Sequence, residues 1–186
     1  MTNELNGKKI AFFVANEGVE QVELTSPWQA VRDAGGEPVL VAPKTGDVQA
    51  FNHLDKGDVF QATVETGELS VDDVDGVVLP GGVANPDQLR TDKGAVGFLR
   101  QWTGAGRPVA SICHGPWTLV EAGAVEGKTL TSWPSLQTDI RNAGGEWRDE
   151  QVVRDEQGYT LVTSRNPDDL DAFDKALVEV FAASAG

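Results

Sequence analysis

Apolar and polar positions follow two rhythms along this chain. Lys9–Ala15 (KIAFFVA) is a nearly unbroken apolar run, the pattern of a strand buried on both faces. Val22–Ala34 reads as a helix, with Gly35 and Gly36 as its stop. Pro38–Ala42 (PVLVA) repeats the buried-strand pattern. Residues Asp47–Leu69 break it: they are polar, rich in Gly and Asp, and hold two short β-like stretches, which predicts a hairpin or meander on the sheet edge. Val74–Leu79 is a strand running into Pro80-Gly81-Gly82. Thr91–Ala105 is helical, with Leu99 and Trp102 on one face. Arg107–Ile112 is a strand and His114–Ala122 a helix. Thr129–Ser132 is a short strand before a helix at Ser135–Ala143. Gln151–Asp155 and Tyr159–Ser164 form a hairpin around Gln157-Gly158. Asp168–Ala183 closes as a helix, with Pro167 suited to its first turn.

This β-α-β alternation predicts an α/β fold, a mostly parallel sheet with helices on both faces. The chain has 186 residues and no linker, repeat or low-complexity stretch. One domain over residues 1–186 is therefore expected, with 1–8 as a polar N-terminal extension.

Composition narrows the setting. A hydrophobic share of 40% suffices for a core without staples. With one cysteine no internal disulfide is possible, and a reducing, cytoplasmic location is expected. The leading MTNELNGKK lacks the apolar centre of a secretion signal, and no apolar run approaches the ~20 residues that span a bilayer. The formal charge of −14 repels phosphates and anionic membranes, so neither nucleic acid nor a membrane is an expected partner. Its simplest role is solubility.

The chemistry concentrates in Val109–Trp117 (VASICHGPW). An apolar strand ends at Ile112; Cys113, His114, Gly115 and Pro116 follow, and a helix begins. A tight strand-to-helix turn lifts a nucleophile clear of the sheet. The helix N-terminus favours negative charge beside the sulfur, so an acidic, reactive thiol is expected. A lone cysteine after an apolar strand is otherwise a small buried hydrophobe; the CHG tripeptide argues against that. Gly81 and Gly82 end a strand facing the same crevice, and their backbone amides, with that of His114, are placed to hold an oxyanion.

With ICHGP and Leu79-Pro80-Gly81-Gly82 in the same chain, the sequence resembles the ThiJ/PfpI superfamily, within it the PfpI-type intracellular protease and general stress protein branch. ANEGVEQVEL near the start and TSRNPDDLDAF near the end carry the resemblance from Lys9 to about Phe181. It implies a flavodoxin-like three-layer α/β/α sandwich related to class I glutamine amidotransferases. It implies Cys113 as the reactive residue and an acidic residue hydrogen-bonded to its sulfur, matched to Glu20, with Glu17 and Glu23 as alternatives in the same segment. A carboxylate there would repel a thiolate, whereas a protonated acid donates to it, so Glu20 is expected neutral against Cys113. The resemblance also implies that His114 is oriented by an acid of a neighbouring subunit, matched to Asp87, in a homodimer or larger homo-oligomer. Trp133 stands in TSWP where that branch often has a tyrosine, and an indole has no phenolic proton to exchange.

Neither a phosphate-binding glycine loop nor a Cys/His set with metal-ligand spacing is present, so no cofactor or metal is expected. The expected function is cysteine-dependent stress-response chemistry at Cys113 of a hydrolase, glyoxalase or deglycase kind, acting on small carbonyls or peptides. The rival is an oxidative-stress sensor in which Cys113 is oxidised with little turnover. A chaperone with a vestigial elbow ranks last.

Overall fold

The first strand, β1 (Lys9–Phe13), shows why its run is apolar from Ile10 onward. Ile10 and Phe12 enter the core on one side of the sheet, and Ala11 and Phe13 enter the core on the other. A period of two with both faces covered leaves no polar position. The computed structural model describes residues 3–184. In chain order the next elements are β2 (Glu17–Glu20), α1 (Gln21–Asp33), β3 (Glu37–Ala42), β4 (Gly46–Asn52), β5 (Asp55–Ala62), β6 (Val64–Glu65) and β7 (Gly76–Leu79). They are followed by α2 (Ala84–Leu89), α3 (Lys93–Gly104), β8 (Val109–Ile112), α4 (Pro116–Glu121), β9 (Thr129–Leu130), α5 (Gln137–Asn142), β10 (Glu146–Trp147), β11 (Val153–Asp155), β12 (Leu161–Ser164) and α6 (Leu170–Ala183).

The main sheet has seven strands in the order β11-β12-β8-β7-β1-β3-β6. All its pairs are parallel except β11 with β12. Leu24, Val31, Phe173 and Leu177 of α1 and α6 fill one side; Leu99, Trp102, Leu119 and Ile140 of α3, α4 and α5 fill the other. The result is the flavodoxin-like sandwich that the sequence led us to expect. From β1 the chain moves outward to β3 on one side, then returns to place β7, β8 and β12 on the other. That reversal opens a crevice at the carboxyl ends of β1 and β7, the usual ligand position in such sheets.

The structure corrects several expectations. The Asp47–Leu69 segment is a hairpin, but β4 and β5 join β2 in a separate three-stranded sheet and only β6 reaches the main sheet's edge. Strand β2 is hard to see in EGVE: it holds two acids and Gly18, and its parallel register with β4 breaks between Glu17 and Val19. Helix α2 has no counterpart in the sequence pattern, because ANPDQL is rich in turn formers. Pro86 is tolerated there because it occupies the first turn, where a helix needs no N–H. Of the short parallel pair β9 and β10, the pattern predicts only β9. Finally, part of the N-terminal extension, residues 3–8, is tied to the domain. Leu5 is fully buried, its amide donates to Ala34 O at 2.9 Å, and Lys8 Nζ donates to Phe181 O at 2.7 Å. No described helix is long and apolar enough to cross a membrane.

Candidate active site

Strand β8 delivers Cys113 to the crevice, and the turn that follows is sharp. Cys113 has φ 61°, a left-handed value that costs energy for any residue with a Cβ. Three backbone bonds hold it: the Cys113 amide donates to Ser164 O at 3.1 Å, the Trp133 amide to Cys113 O at 2.9 Å, and the Gly115 amide to Ile112 O at 2.9 Å. The surrounding structure thus determines the strained conformation from both sides. Gly115 has to be glycine for a separate reason: a Cβ there would collide with Leu79 O and Ser111 Oγ.

His114 is the next residue. Its Nδ1 lies 3.2 Å from Cys113 Sγ and its Nε2 lies 3.5 Å from Ser135 Oγ. With Nδ1 facing the thiol as acceptor, the Nε2–H points to the Ser135 hydroxyl, a tautomer assigned from these partners. The ring is packed between indoles, stacked on Trp133 (centroids 5.7 Å apart) and edge-on to Trp117 (5.3 Å). This burial pushes the imidazole pKa down to about 4, so the ring is neutral at ordinary pH.

The acid beside the sulfur is Glu23. It lies in the first turn of α1, is fully buried, and its Oε2 accepts the Gly81 amide at 2.8 Å. Its carboxyl abuts the Cys113 thiol closely enough for each to perturb the other's ionisation. Oε1 has no hydrogen-bond partner of good geometry among the described residues. Burial pushes the Glu23 pKa up to about 8, with the charge of Glu20 adding to the rise and the thiol and the Gly81 and Gly82 amides opposing it. Burial, and then the Glu23 charge, also push the thiol up, against the amides of Gly82 and His114. Two anions cannot share this dry floor. The pair therefore titrates as one unit, with Glu23 carrying a proton near neutral pH.

The loop after β7 is held by a residue that sequence reading passes over. Asn85 is fully buried; its Oδ1 accepts the Ala15 amide at 2.7 Å, and its Nδ2 donates to Pro80 O at 3.1 Å and Gly81 O at 3.0 Å. It ties the end of β1 to the Gly81–Gly82 turn, and its only signal in the sequence is one amide among turn formers. Above this floor opens a cavity of about 620 Å³. Its walls include Phe51, Leu54, Val83 and Trp133, with Glu17 and Glu20 at the mouth.

A family model described as the DJ-1/PfpI family matches residues 8–180. The chain belongs to the DJ-1/PfpI family. It is 39% identical over 181 residues to the Escherichia coli K12 protein named "Protein/nucleic acid deglycase 2", covering 95% of this chain and 99% of that one. It is 36% identical over 172 residues to a Pyrococcus horikoshii deglycase, covering 92% and 98%. Among solved structures, Drosophila melanogaster DJ-1beta superposes with a TM-score of 0.81 at 26% identity, covering 99% of this chain and 92% of that chain. A two-domain protein of Anabaena variabilis, with DJ-1/ThiJ/PfpI-like and ferritin-like domains, gives 0.84 at 32% identity over 92% of this chain. The present chain spans about half of that protein, 47%.

Against this DJ-1/PfpI fold, the residues singled out from sequence divide. Cys113, His114, Gly82 and Trp133 meet at the cavity. Glu20 does not reach the sulfur. It ends β2, and its Oε2 accepts the His53 amide at 3.1 Å at the tip of the β4–β5 hairpin. The position against Cys113 belongs to Glu23, because the helix begins at Gln21 and its first turn swings residue 23 inward. Gly81 packs against Cys113 and Glu23 but does not line the cavity, and its amide is engaged by Glu23 and is not free for an oxyanion; the amides directed at the sulfur are those of Gly82 and His114. The helix end alone does not make the thiol acidic, because Cys113 is only 6% exposed and burial works against charge. Asp87 is exposed on α2 and makes no side-chain hydrogen bond or ion pair among the described residues. Within one chain, then, it does not orient His114.

Proposed function

We propose that the protein is a cysteine-dependent enzyme of the deglycase, glyoxalase or hydrolase kind, acting on small carbonyl compounds or the adducts they leave on amines and thiols. One observation carries the reading: a strained, buried cysteine with a neutral imidazole at 3.2 Å forms the floor of a cavity large enough for a small substrate. The names of the Escherichia coli and Pyrococcus horikoshii relatives support the same class.

The steps follow from the geometry. His114 Nδ1 takes the thiol proton as the sulfur adds to the carbonyl carbon. The C=O electron pair moves to oxygen, and that oxyanion meets the Gly82 and His114 amides. Protonated Glu23 donates to whichever atom of the pair bears charge, and it removes the repulsion that a carboxylate would impose. The amine or thiol of an adduct departs as its carbinol C–N or C–S bond breaks, the carbinol O–H proton passing through His114 to the departing atom and leaving a free dicarbonyl. Once the sulfur has added to the aldehyde carbon of that dicarbonyl, the C–H proton there shifts to the neighbouring carbonyl carbon, and water cleaves the resulting Cys113 thioester to a hydroxy acid and the free thiol. Methylglyoxal consumption, and release of free thiol from a methylglyoxal-loaded cysteine peptide, measure this directly. Cys113→Ala and Cys113→Ser are expected to abolish both; full turnover in Cys113→Ala would overturn the proposal.

A second reading has its own observation. A carboxylic acid and two amides around one sulfur are also a cradle for a sulfinate, which would make Cys113 an oxidation sensor. Mass spectrometry after mild peroxide decides it: a Cys113 that stays unmodified rules the sensor out.

A further inference from the structure

Two carboxylates, Glu17 and Glu20, line the mouth of the Cys113 cavity, and no Lys or Arg lines it among the described residues. Neither carboxylate forms an ion pair among the described residues. The Glu20 carboxylate accepts the His53 amide, a neutral donor that brings no cation to the rim. The same cavity is lined by the apolar Phe51, Leu54, Val83 and Trp133, of which Leu54 (94% exposed), Val83 and Trp133 stand open to solvent, and by the polar side chains of His53 and Gln88. Low-dielectric walls focus the field of a charged rim along the entry path. The whole chain, these two carboxylates included, has a formal charge of −14.

From this arrangement we infer that the site selects its peptide substrates by charge, taking carbonyl adducts carried on cationic segments, such as Arg- or Lys-rich peptides, in preference to adducts on anionic segments, such as Asp- or Glu-rich peptides. Glu17 and Glu20 are the specificity-determining residues and take no part in the bond-making step. Apolar side chains flanking the adduct would rest on Leu54, Val83 and Trp133, while a neighbouring guanidinium or ammonium meets the two carboxylates. The inference deepens the proposed carbonyl chemistry and rests on Cys113 being its reactive atom.

The test separates the two. Because the chain has a single cysteine, methanethiosulfonate reagents report on this site alone, without any turnover. Modification rates are measured with the trimethylammonium-ethyl, sulfonato-ethyl and neutral methyl reagents on the same protein. The cationic-to-anionic ratio, normalised to that of a free small thiol, is expected to exceed unity by on the order of tenfold. It should shrink as salt is raised, and collapse toward unity in the double variant Glu17→Gln/Glu20→Gln. The Glu20→Gln change keeps an amide oxygen to accept the His53 N–H, so it removes charge and leaves the hairpin tip tied. Peptides with one methylglyoxal-loaded cysteine between arginines or between glutamates then show the same preference in kcat/KM. A normalised ratio near unity in the wild type, or one that the double variant leaves unchanged, overturns the charge selection and leaves the Cys113 chemistry standing. Persistence of turnover in Cys113→Ala overturns the chemistry instead.

Discussion

Nδ1 of His114 stands 3.2 Å from Sγ of Cys113, although the two residues are adjacent in sequence. Neighbouring side chains usually diverge, and here the left-handed backbone at Cys113 turns them together. The elbow thus brings a thiol and a ring nitrogen together in one dipeptide, and the Trp133 and Trp117 rings pack against the imidazole.

This pairing sets a pH dependence. His114 acts as a base only when neutral, and with a pKa of about 4 it stays neutral well below the usual histidine range. The acid limb of kcat/KM is therefore expected below about pH 5, not near the ordinary histidine value of about 6.5. Replacement His114→Ala should cost roughly 10²–10⁴-fold in turnover. A full pH profile of both proteins checks this, and an acid limb at the ordinary histidine value in the wild type would contradict the assignment.

Glu23 gives a second pH effect, in stability. Its folded pKa of about 8 lies above the ordinary 4.5, so the folded protein holds a proton that the unfolded chain releases. The contribution is fully present below 4.5 and is lost as pH rises through about 8. Urea unfolding should show the wild type losing on the order of a few kcal/mol between about pH 5 and 9 relative to Glu23→Gln. Equal slopes for the two proteins would mean that Glu23 is charged in the fold.

The Gly81 position leaves no room for a side chain. A Cβ there would lie 2.7 Å from Cys113 Cβ and would collide with Glu23 Oε2. Gly81→Ala is expected to cost about 1–3 kcal/mol by overpacking. It should also displace Glu23 and change the rate of Cys113 alkylation. Thermal melts and alkylation rates measure the two effects separately, and a normal alkylation rate in a destabilised variant would show that Glu23 does not govern the sulfur.

Far from the site, a buried ion pair joins β9 to the β11–β12 hairpin. Lys128 Nζ donates to Asp155 Oδ1 at 2.7 Å and to the Gln157 and Tyr159 carbonyls, both at 2.6 Å. It also lies 4.3 Å from the centroid of the Tyr159 ring. Lys128→Met leaves the buried Asp155 charge without its cation and should cost about 3–5 kcal/mol. Adding Asp155→Asn should recover part of that loss. Urea midpoints of the single and double variants test the coupling.

Patterns of neighbours along the chain are enough for most of the fold. The apolar runs at Lys9, Pro38, Val74 and Arg107, and the helices between them, are visible because both the strand and the helix repeat are local. So is the elbow, since ICHGP is one contiguous turn. Strand β2 and helix α2 are not visible, because each is made by partners far away. Glu17, Val19 and Glu20 pair with β4 of the distant hairpin, and Asn85 is held by the end of β1.

The same limit governs the choice of acid. Glu17, Glu20 and Glu23 lie close together in one segment and are chemically alike, so the family resemblance of the sequence implied an acid there and matched it to Glu20, with Glu17 and Glu23 as alternatives. Which one meets the sulfur depends on where β2 stops and α1 starts. That boundary is set by the β4 pairing and by the contact of Glu20 N with Gly81 O at 3.2 Å. A shift of one residue would rotate a helix side chain by about 100°. Only the tertiary packing could therefore turn Glu23 to the floor and leave Glu20 at the mouth.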